Sequence, residues 1–308
     1  MRVFVAGATG VIGRSLLPQL VAEGHQVVGM TRSQEKTGML AELGAEPVVA
    51  DAFDADALRE AVVGTEPEVV IHELTDIPRQ VDPKRYFEQF ERNNLLRREG
   101  TRNLVAAAQA AGARRVIAQS IAFVYRYGGG VLHGEEDPLA VEKGAIVSAV
   151  ADLEEAVTGA DGVEGIVLRY GYFYGPGTSY ASDGSQAEMV RKRRLPVVGD
   201  GGGVFSFIHV DDAAAATIRA LDLGSRGAYN IVDDDPAPVR EWLPVYAEAL
   251  GAKRPRRVPV FLARWIGGDY GVNVMTRTEG ASNRKAKGEL GLQLRYPSWR
   301  RGFMEALG

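Results

Sequence analysis

Short apolar runs alternate with amphipathic stretches along the first 170 residues of the chain. Residues 3–6 form a run of β-favouring apolar side chains, which is typical of a buried parallel strand. Residues 10–22 repeat apolar side chains at helical spacing, which predicts an amphipathic helix. The same patterns predict strands at 25–30, 46–50, 68–72, 115–119 and 165–168, and helices near 35–43, 55–62, 83–111 and 146–158. Strands that alternate with helices at this spacing predict the α/β class, with a doubly wound, mainly parallel sheet.

The regular alternation ends near residue 170. Loops rich in glycine and proline follow at 175–177, 183–184 and 199–203. We therefore predict one domain over 1–171, to which 207–234 return, and a smaller C-terminal substrate lobe over 172–206 and 235–308. A lobe placed over the carboxyl ends of parallel strands is where substrates bind in such folds.

Composition narrows the range of functions. With 308 residues, of which 45% are hydrophobic and 25% charged, the chain can bury a full core. A formal net charge of -4 leaves no basic surplus to neutralise phosphates, which argues against nucleic acid as a partner. The chain has no cysteine and only four histidines, so we expect no disulfide and no metal site. The first strand leaves no room for a signal peptide, and no apolar stretch reaches 18 residues, so we expect a cytoplasmic protein without a membrane span.

Glycine occupies three evenly spaced positions between the first strand and the first helix. Glycine in such a turn lets the backbone bend tightly, lets a pyrophosphate approach main-chain N–H groups, and lets helix and strand pack closely. The first turn of the helix adds unpaired N–H groups and a partial positive charge. We therefore predict a dinucleotide-binding turn, for which an ordinary glycine-rich turn is the alternative. The predicted contacts are Gly7, Thr9, Gly10, Val11, Ile12 and Gly13.

The residues after the second strand bear on the choice of cofactor. In dinucleotide folds an acidic residue there binds the ribose hydroxyls of the adenosine, whereas an arginine accommodates a 2′-phosphate. Here the strand leads into Thr31, Arg32 and Ser33, without a carboxylate. A guanidinium pairs with phosphate as a charge-assisted fork, and the two hydroxyls are further donors. We therefore predict NADP(H) rather than NAD(H), with an exposed loop arginine as the alternative for Arg32.

Three more residues are predicted to contact the cofactor. Asp51 follows the third strand and is placed to meet the adenine amino group. Capping of the next helix is an alternative role for Asp51, and Asp54 competes for that role. Ala52 beside it and Leu74 after the fourth strand complete the set.

Four segments, taken together, resemble one known superfamily. They are residues 7–13, 100–108, 168–177 and 207–213, in this order along the chain. They resemble the extended short-chain dehydrogenase/reductase superfamily, and more narrowly its NAD-dependent epimerase/dehydratase branch. The resemblance implies a Rossmann fold, a bound nicotinamide dinucleotide, a small-molecule substrate and, often, a homodimer formed through two long helices. It also implies that Tyr170 and Gly171 lie near the nicotinamide and that Tyr172 faces the substrate, with a strand end packed into the core as the alternative.

The proton relay of that family is altered in this chain. The family has a Ser or Thr after the fifth strand and Tyr-x-x-x-Lys on the following helix, where the lysine depresses the pKa of the tyrosine. No tyrosine in this chain has a lysine four residues later. Alignment with the family places Ser148 and Asp152 at the two helix positions. It places Ile121 at the hydroxyl position, and a slip of one residue would restore Ser120 there.

Other groups must then supply a proton. The candidates are Ser120, Tyr125, Ser148, Tyr172 and Tyr174. An unassisted tyrosine, with a pKa of about 10, can protonate an alkoxide but is a poor base at neutral pH, which favours reduction over oxidation. Asp152 is either a solvated helix residue or, if it faces the site, a group that favours a cationic substrate or intermediate.

Residues on the substrate side also depart from the family. Nucleotide-sugar enzymes carry an Arg-Asp pair before the segment at 207–213, and its arginine holds the sugar-nucleotide phosphates. Here the pair is Phe205 and Ser206, which favours a smaller or more apolar substrate. Asp211 and Asp212 are interpreted as the N-cap and first-turn residues of a helix, and the nearby His209 as a packed strand residue.

Three hypotheses about function follow. The first is an NADP(H)-dependent oxidoreductase that reduces a C=O, C=N or activated C=C bond of a non-nucleotide metabolite. The second is an epimerase or dehydratase that retains its cofactor through each cycle. The third is a catalytically silent NADP-binding sensor or scaffold, for which the missing Tyr-Lys pair is the main argument.

Overall fold

Helices and strands alternate through most of the protein. The computed structural model describes residues 1–78, 85–128 and 132–307. The strands are β1 (Arg2–Ala6), β2 (Gln26–Thr31), β3 (Glu46–Val49), β4 (Val69–His72), β5 (Arg115–Ile121), β6 (Glu164–Tyr170), β7 (Tyr172–Tyr174), β8 (Val197–Val198), β9 (Val204–Phe205), β10 (Phe207–His209), β11 (Gly227–Ile231), β12 (Ala237–Pro238) and β13 (Arg257–Val258). The helices are α1 (Val11–Ala22), α2 (Thr37–Glu42), α3 (Ala55–Val63), α4 (Tyr86–Gln89), α5 (Glu91–Leu95), α6 (Thr101–Ala110), α7 (Ala145–Thr158), α8 (Ser185–Arg191), α9 (Val210–Arg219), α10 (Val239–Ala249), α11 (Val260–Arg277), α12 (Arg284–Glu289) and α13 (Trp299–Leu307). A π-helical segment, Leu96–Gly100, joins α5 to α6.

Seven strands form a central, wholly parallel sheet in the order β11-β6-β5-β4-β1-β2-β3. Alternate residues of each strand point to opposite faces, and helices cover both faces. In β1, Val3 and Val5 pack with α1 and α9, whereas Phe4 and Ala6 pack on the other face with α3 and α6. The predicted α/β class and doubly wound Rossmann-type sheet are confirmed.

The C-terminal part of the chain has a core of its own. Its large buried side chains are aromatic: Tyr174, Tyr180, Phe205, Phe207, Trp242, Tyr246, Trp299 and Phe303. Three two-stranded sheets, β10-β7, β12-β9 and β13-β8, connect these segments. The exact division into two lobes stays a prediction. Within the described ranges, no helix combines the length and the apolarity that a membrane crossing needs.

Three details differ from the predicted pattern. Strand β10 pairs with β7 in a separate sheet, while α9 packs on α1 and β11 joins the central sheet beside β6. The helix predicted over 83–111 is divided among α4, α5, the π-helical segment and α6, and residues 83 and 84 lie outside the described residues. His209 rather than Asp211 caps α9, because its ring Nδ1 accepts the backbone N–H of Asp211 at 3.1 Å.

Candidate active site

The carboxyl ends of the central strands meet at one edge of the sheet. The strand order reverses at β1, which has β2 on one side and β4 on the other. Ligands of open α/β sheets bind in the crevice at such a switch point. The turn after β1 and the segments after β2, β3, β4, β5 and β6 therefore surround one crevice.

The turn after β1 requires glycine for steric reasons. Gly7 has φ +91°, and a Cβ there would lie 2.8 Å from the Leu74 nitrogen and would overlap the carbonyl group of Glu73. A Cβ on Gly13 would lie 2.6 Å from the carbonyl carbon of Ala8. The turn is thus held tightly between the segment after β4 and the first turns of α1.

Helix α1 presents its amino end to the crevice. Its N-cap, Gly10, has extended backbone angles and makes no side-chain cap, and its N–H donates to the Gly7 carbonyl oxygen at 2.9 Å. The main-chain N–H groups of the first helical turn are therefore left for a ligand, together with the positive end of the helix dipole. This cradle fits the pyrophosphate of a dinucleotide. Of the remaining residues predicted for it, Thr9 lies in the glycine turn, and Val11 and Ile12 are the first two residues of α1.

The segment after β2 places an arginine at the edge of the crevice. The Arg32 side chain is 46% exposed, and its Nη2 lies 3.9 Å from Oδ2 of Asp76. The Thr31 hydroxyl accepts the N–H of Ser33 at 3.2 Å, which holds the turn that follows the strand. The sequence predicts Thr31, Arg32 and Ser33 as neighbours here, but it does not indicate that the carboxylate of Asp76 lies beside them.

The segments after β3 and β4 line the crevice beside the glycine turn. The Asp51 carboxylate accepts the N–H of Phe53 at 3.1 Å, whereas Asp54 caps α3 by accepting an N–H of its first turn at 3.1 Å. The capping role therefore belongs to Asp54, and the adenine contact of Asp51 stays a prediction. The Ala52 carbonyl oxygen is held by a side-chain amide of α6 at 2.8 Å. The Leu74 N–H donates to a histidine ring nitrogen two residues earlier, at 3.2 Å.

A buried carboxyl group lies at the end of β4, directly beside the glycine turn. Burial raises the pKa of Glu73 to about 8, so this group is mostly protonated at neutral pH. The Tyr170 hydroxyl lies 3.1 Å from Oε1 of Glu73 and 2.7 Å from the Thr217 hydroxyl. The Tyr170 ring is therefore packed into the core, which was the alternative left open for it. Glu73 is not among the residues predicted from the sequence, although a charged residue one position after the strand Val69–His72 was a signal.

Ser120 and Tyr125 belong to a buried network behind the crevice. Ser120 Oγ donates to Oε1 of Glu154 at 2.6 Å, and Arg169 donates to the same carboxylate through Nε and Nη2 at 2.9 and 2.6 Å. Arg169 also donates to the Tyr125 hydroxyl at 2.9 Å, and that hydroxyl donates to Oδ1 of Asn230 at 2.6 Å. Burial raises the pKa of Tyr125 to about 12. Because both hydroxyls are committed to this network, the geometry argues against them as proton donors to a substrate.

Glu154 also corrects the alignment of α7 with the family's relay. It touches Ser120 at the end of β5, and the residues four and eight positions earlier share its face of the helix. Those residues are Val150 and Ile146, which are 1% and 8% exposed. A Tyr-x-x-x-Lys pair facing the end of β5 would therefore fall at these two positions, two residues before the predicted ones. With Ile121 at the end of β5, all three relay positions carry aliphatic side chains.

Ser148 and Asp152 face the neighbouring helical segment instead of β5. Arg98 in the π-helical segment donates to Oδ2 of Asp152 at 2.5 Å and to Oγ of Ser148 at 3.2 Å. Ser148 thus accepts a hydrogen bond from Arg98, and the negative charge of Asp152 is paired with the guanidinium of the same arginine. Asp152 is therefore neither fully solvated nor directed at a substrate, the two roles that the sequence suggests for it, and nothing in the sequence indicates the contact with Arg98.

Tyr172 lies in a stack of aromatic rings beyond the end of β6. Its ring centroid is 4.2 Å from those of Phe123 and Phe205, with interplanar angles of 12° and 21°. Phe205 stands where the family's nucleotide-sugar enzymes have arginine, and the Ser206 hydroxyl accepts the N–H of Ala281 at 2.9 Å. This wall is therefore aromatic, in contrast to the cationic wall of the nucleotide-sugar enzymes.

Gly171 allows the chain to pass close to the second lobe before it reaches Tyr172. A Cβ on Gly171 would lie 3.0 Å from the carbonyl carbon of Ser206, and its N–H donates to the Ile231 carbonyl oxygen at 3.0 Å. Tyr174, two residues beyond Tyr172, is fully buried in the aromatic core of the second lobe, where burial raises its pKa. Among the three tyrosines considered as acids, Tyr172 is therefore the one that remains partly exposed.

Comparison with known proteins agrees with this architecture. The model of the NAD dependent epimerase/dehydratase family matches residues 3–232. A 3-diazoavenalumate denitrifying reductase from a Streptomyces species is 45% identical, over 98% of this chain and 99% of that protein. A 4-hydroxy-2-methyl-3-oxo-4-farnesyl-3,4-dihydroquinoline-1-oxide ketoreductase from Stigmatella aurantiaca is 30% identical, over 82% of this chain and 74% of that protein. The crystal structure of a UDP-glucose 4-epimerase from Thermotoga maritima with UDP-glucose has a TM-score of 0.79 at 21% identity, covering 100% of this chain and 97% of that one.

Proposed function

The chain belongs to the NAD-dependent epimerase/dehydratase family, and we propose its function within that family. It is an enzyme of that nicotinamide-dependent class, and the two relatives described above are named as reductases. Within the class, our proposal is an NADPH-dependent reductase of a non-nucleotide substrate. More narrowly, the reaction replaces the diazo group of an aromatic compound by hydrogen, with release of dinitrogen.

The observation that carries this proposal is the aliphatic character of the relay positions. Reduction of a ketone produces an alkoxide, and a positioned acid accelerates its protonation. Ile121, Ile146 and Val150 supply no such acid at the end of β5 and on the facing side of α7. A reaction in which the leaving group departs as neutral dinitrogen needs no proton at the carbon that is reduced. The relative with 45% identity is named for a diazo substrate, which supports the same reaction.

The bonds and electrons of this reaction balance without an acid or a base. When bound, the reduced nicotinamide supplies a hydride, whose electron pair becomes the new C–H bond. The C–N bond to the diazo group breaks, and its electron pair leaves with dinitrogen. The chain's own task is therefore to bind and orient the substrate and to exclude water from the reacting carbon.

The residues around the crevice suit that task. Phe123 is the outer ring of the stack with Tyr172 and Phe205, so its free face gives an aromatic substrate a flat apolar surface; stacking of this kind contributes about 0.5 to 1.5 kcal/mol per pair. The aliphatic side chains of Ile121, Ile146 and Val150 keep water from a reactive cationic diazo carbon. Phe205 in place of arginine removes an anchor for a diphosphate, which argues against a sugar nucleotide.

Isotopic labelling tests the proposed reaction directly. Incubation of the protein with NADPH and 3-diazoavenalumate, or with a diazotised aminohydroxybenzoate, is expected to release dinitrogen and oxidised cofactor in equal amounts. With NADPH deuterated at its transferable position, deuterium is expected at the product carbon that carried nitrogen. With ordinary NADPH in deuterated water, no deuterium is expected there. Mass spectrometry of the product measures both results.

Solvent deuterium at that carbon, or no turnover of either diazo compound, would contradict the proposal.

Ketone reduction is the second candidate, because one relative is named a ketoreductase, and Tyr172 would then be the acid. Turnover of a ketone panel without turnover of the diazo compounds would support it. Tightly retained cofactor without net consumption of NADPH would support an epimerase or dehydratase.

Arg32→Ala is expected to weaken NADPH binding by about tenfold or more and NADH binding by less than about twofold. The physical reason is the loss of a guanidinium that pairs with the 2′-phosphate, a group that NADH lacks. Titration of intrinsic fluorescence with each cofactor measures the two affinities. Arg2→Ala is the matched control, since Arg2 is a partly exposed arginine paired with Glu46 at the amino-terminal edge of the sheet, opposite the crevice. Equal losses for the two cofactors would remove Arg32 from the phosphate site.

The remaining proposals concern the substrate, the oligomeric state and the cellular location of the protein. We propose that the protein acts on a small-molecule substrate, forms a homodimer and works in the cytoplasm. Sedimentation analysis of the purified chain measures the oligomeric state, and a single monomeric species would contradict the homodimer.

A further inference from the structure

Asp76 lies between two arginines from different elements. Its Oδ2 accepts Nε–H of Arg92 in α5 at 2.6 Å and lies 3.9 Å from Nη2 of Arg32 after β2. Its backbone N–H donates to Oδ1 of Asn93 at 2.9 Å, and Asn93 is almost fully buried. The segment after β4 therefore reaches across the top of β1 to the end of β2, and a buried amide holds it there.

Arg92 lies on the wall of the crevice where the adenosine is expected. The centre of its guanidinium is 5.4 Å from the ring centroid of Phe53, whose backbone N–H is held by Asp51. A guanidinium over an aromatic face keeps its plane fixed while its outer N–H groups stay available. Arg92 and Arg32 thus approach the same place from two sides of the crevice.

The charge of this cluster suits a phosphate better than a carboxylate. Two guanidinium groups share one carboxylate, so the cluster carries an excess positive charge. A carboxylate has two oxygens, whereas a phosphate monoester has three terminal oxygens and a charge of about −1.5 to −2 at neutral pH. The side chains of Arg32, Arg92 and Asp76 are 46%, 59% and 32% exposed. Ion pairs as exposed as these contribute little to stability, so exchange of one anion for another costs little.

We infer that Arg32, Arg92 and Asp76 together form the recognition site for the 2′-phosphate of the cofactor, in which Asp76 is the internal anion that the phosphate replaces. This inference rests on the proposed function, since it names further residues that select NADPH. Arg92 supplies the second fork for the phosphate. Asp76 keeps the two guanidinium groups in place in the free protein and competes with the phosphate for them.

Fragments of the cofactor test the inference without any measurement of activity. Adenosine 2′,5′-bisphosphate carries the 2′-phosphate, and adenosine 5′-diphosphate lacks it but keeps a pyrophosphate for the glycine turn. Calorimetric titration of Arg92→Ala is expected to show about tenfold or weaker binding of the 2′,5′-bisphosphate and little change for the diphosphate. Asp76→Asn is expected to bind the 2′,5′-bisphosphate more tightly, by a few-fold, and the diphosphate as the wild type does. Arg2→Ala serves again as the control for loss of a partly exposed arginine elsewhere.

The outcomes separate this inference from the proposed function. If the wild type prefers the 2′,5′-bisphosphate and Arg32→Ala abolishes the preference while Arg92→Ala does not, the two-arginine site is wrong and the NADPH assignment stands. If Asp76→Asn weakens the diphosphate, Asp76 is a ribose ligand, and the role of internal competitor is overturned. If the wild type shows no preference for the 2′,5′-bisphosphate, the NADPH assignment fails and this inference fails with it.

Discussion

Gly7→Ala is expected to abolish dinucleotide binding and to lower the free energy of unfolding by about 3 kcal/mol or more. Two costs add at this position. An alanine at φ +91° is strained, and its Cβ would overlap the carbonyl group of Glu73 and approach the Leu74 nitrogen to 2.8 Å. The backbone must move to relieve the overlap, which displaces the cradle for the pyrophosphate. Urea unfolding measures the stability, and titration with NADPH measures the binding.

Two further variants keep this prediction testable. Gly24→Ala is the matched control, because Gly24 has φ +83° and its Cβ would meet no atom within 4 Å. Its cost is therefore the backbone strain alone, about 1 to 2 kcal/mol, with unchanged binding. Gly10→Ala places a Cβ 3.0 Å from the Gly7 carbonyl oxygen, so it is expected to fold and to bind more weakly. Equal losses in Gly7→Ala and Gly24→Ala would contradict the steric role of Gly7.

Glu73→Gln is expected to stabilise the protein at alkaline pH and to leave its stability unchanged near pH 4. Burial raises the pKa of Glu73 from its ordinary value of 4.5 to about 8. Between these two values the unfolded chain has lost the proton and the folded chain has kept it, so stability falls as pH rises and levels off above pH 8. Glutamine resembles the protonated acid and does not ionise. The expected gain at pH 9 is about 4 kcal/mol as an order of magnitude, measured by urea unfolding across the pH range.

A second carboxyl group contributes to the pH dependence of the wild type's free energy of unfolding. The variant is expected to retain the part of the pH dependence that comes from this second group. Burial also raises the pKa of Asp233 to about 8, so Glu73→Gln is expected to keep part of the decline with pH. Glu23→Gln, at an exposed residue after α1, is the control for removal of a charge. Identical unfolding curves for the wild type and Glu73→Gln at pH 4 and pH 9 would mean that Glu73 is ionised in the folded protein.

The sequence predicted the central sheet well because its strands are continuous apolar runs. Strands buried on both faces have no polar alternation to obscure them, and each predicted strand of the sheet lies within two residues of the observed one at both ends. The glycine turn was also predictable, because its position between the first strand and the first helix limits what glycine can do there. The helices after β4 were not predictable in detail, since the π-helical segment changes the helical period within one polar stretch.

The catalytic side of the crevice was harder to predict than the cofactor side. The helix α7 is normally aligned with the family by its Tyr-Lys pair. In a chain without that pair, the sequence does not fix which residues of α7 occupy the two positions. The contact between Glu154 and Arg169 supplies that anchor only once the fold is known. Arg169 itself carried a signal, because an arginine within a buried strand requires an acidic partner. Arg98 and Asp76 carried none, since each acts through a residue distant in sequence.

The π-helical segment also affects how the wall of this crevice can change during evolution. A π-helical turn holds one residue more than an α-helical turn, so loss of one codon within Leu96–Gly100 would return this segment to the α-helical period with α5 still in register with α6. Asn93 would then still hold the backbone of Asp76, and Arg92 its carboxylate. The length of the chain here can therefore change by one residue while this wall keeps its place.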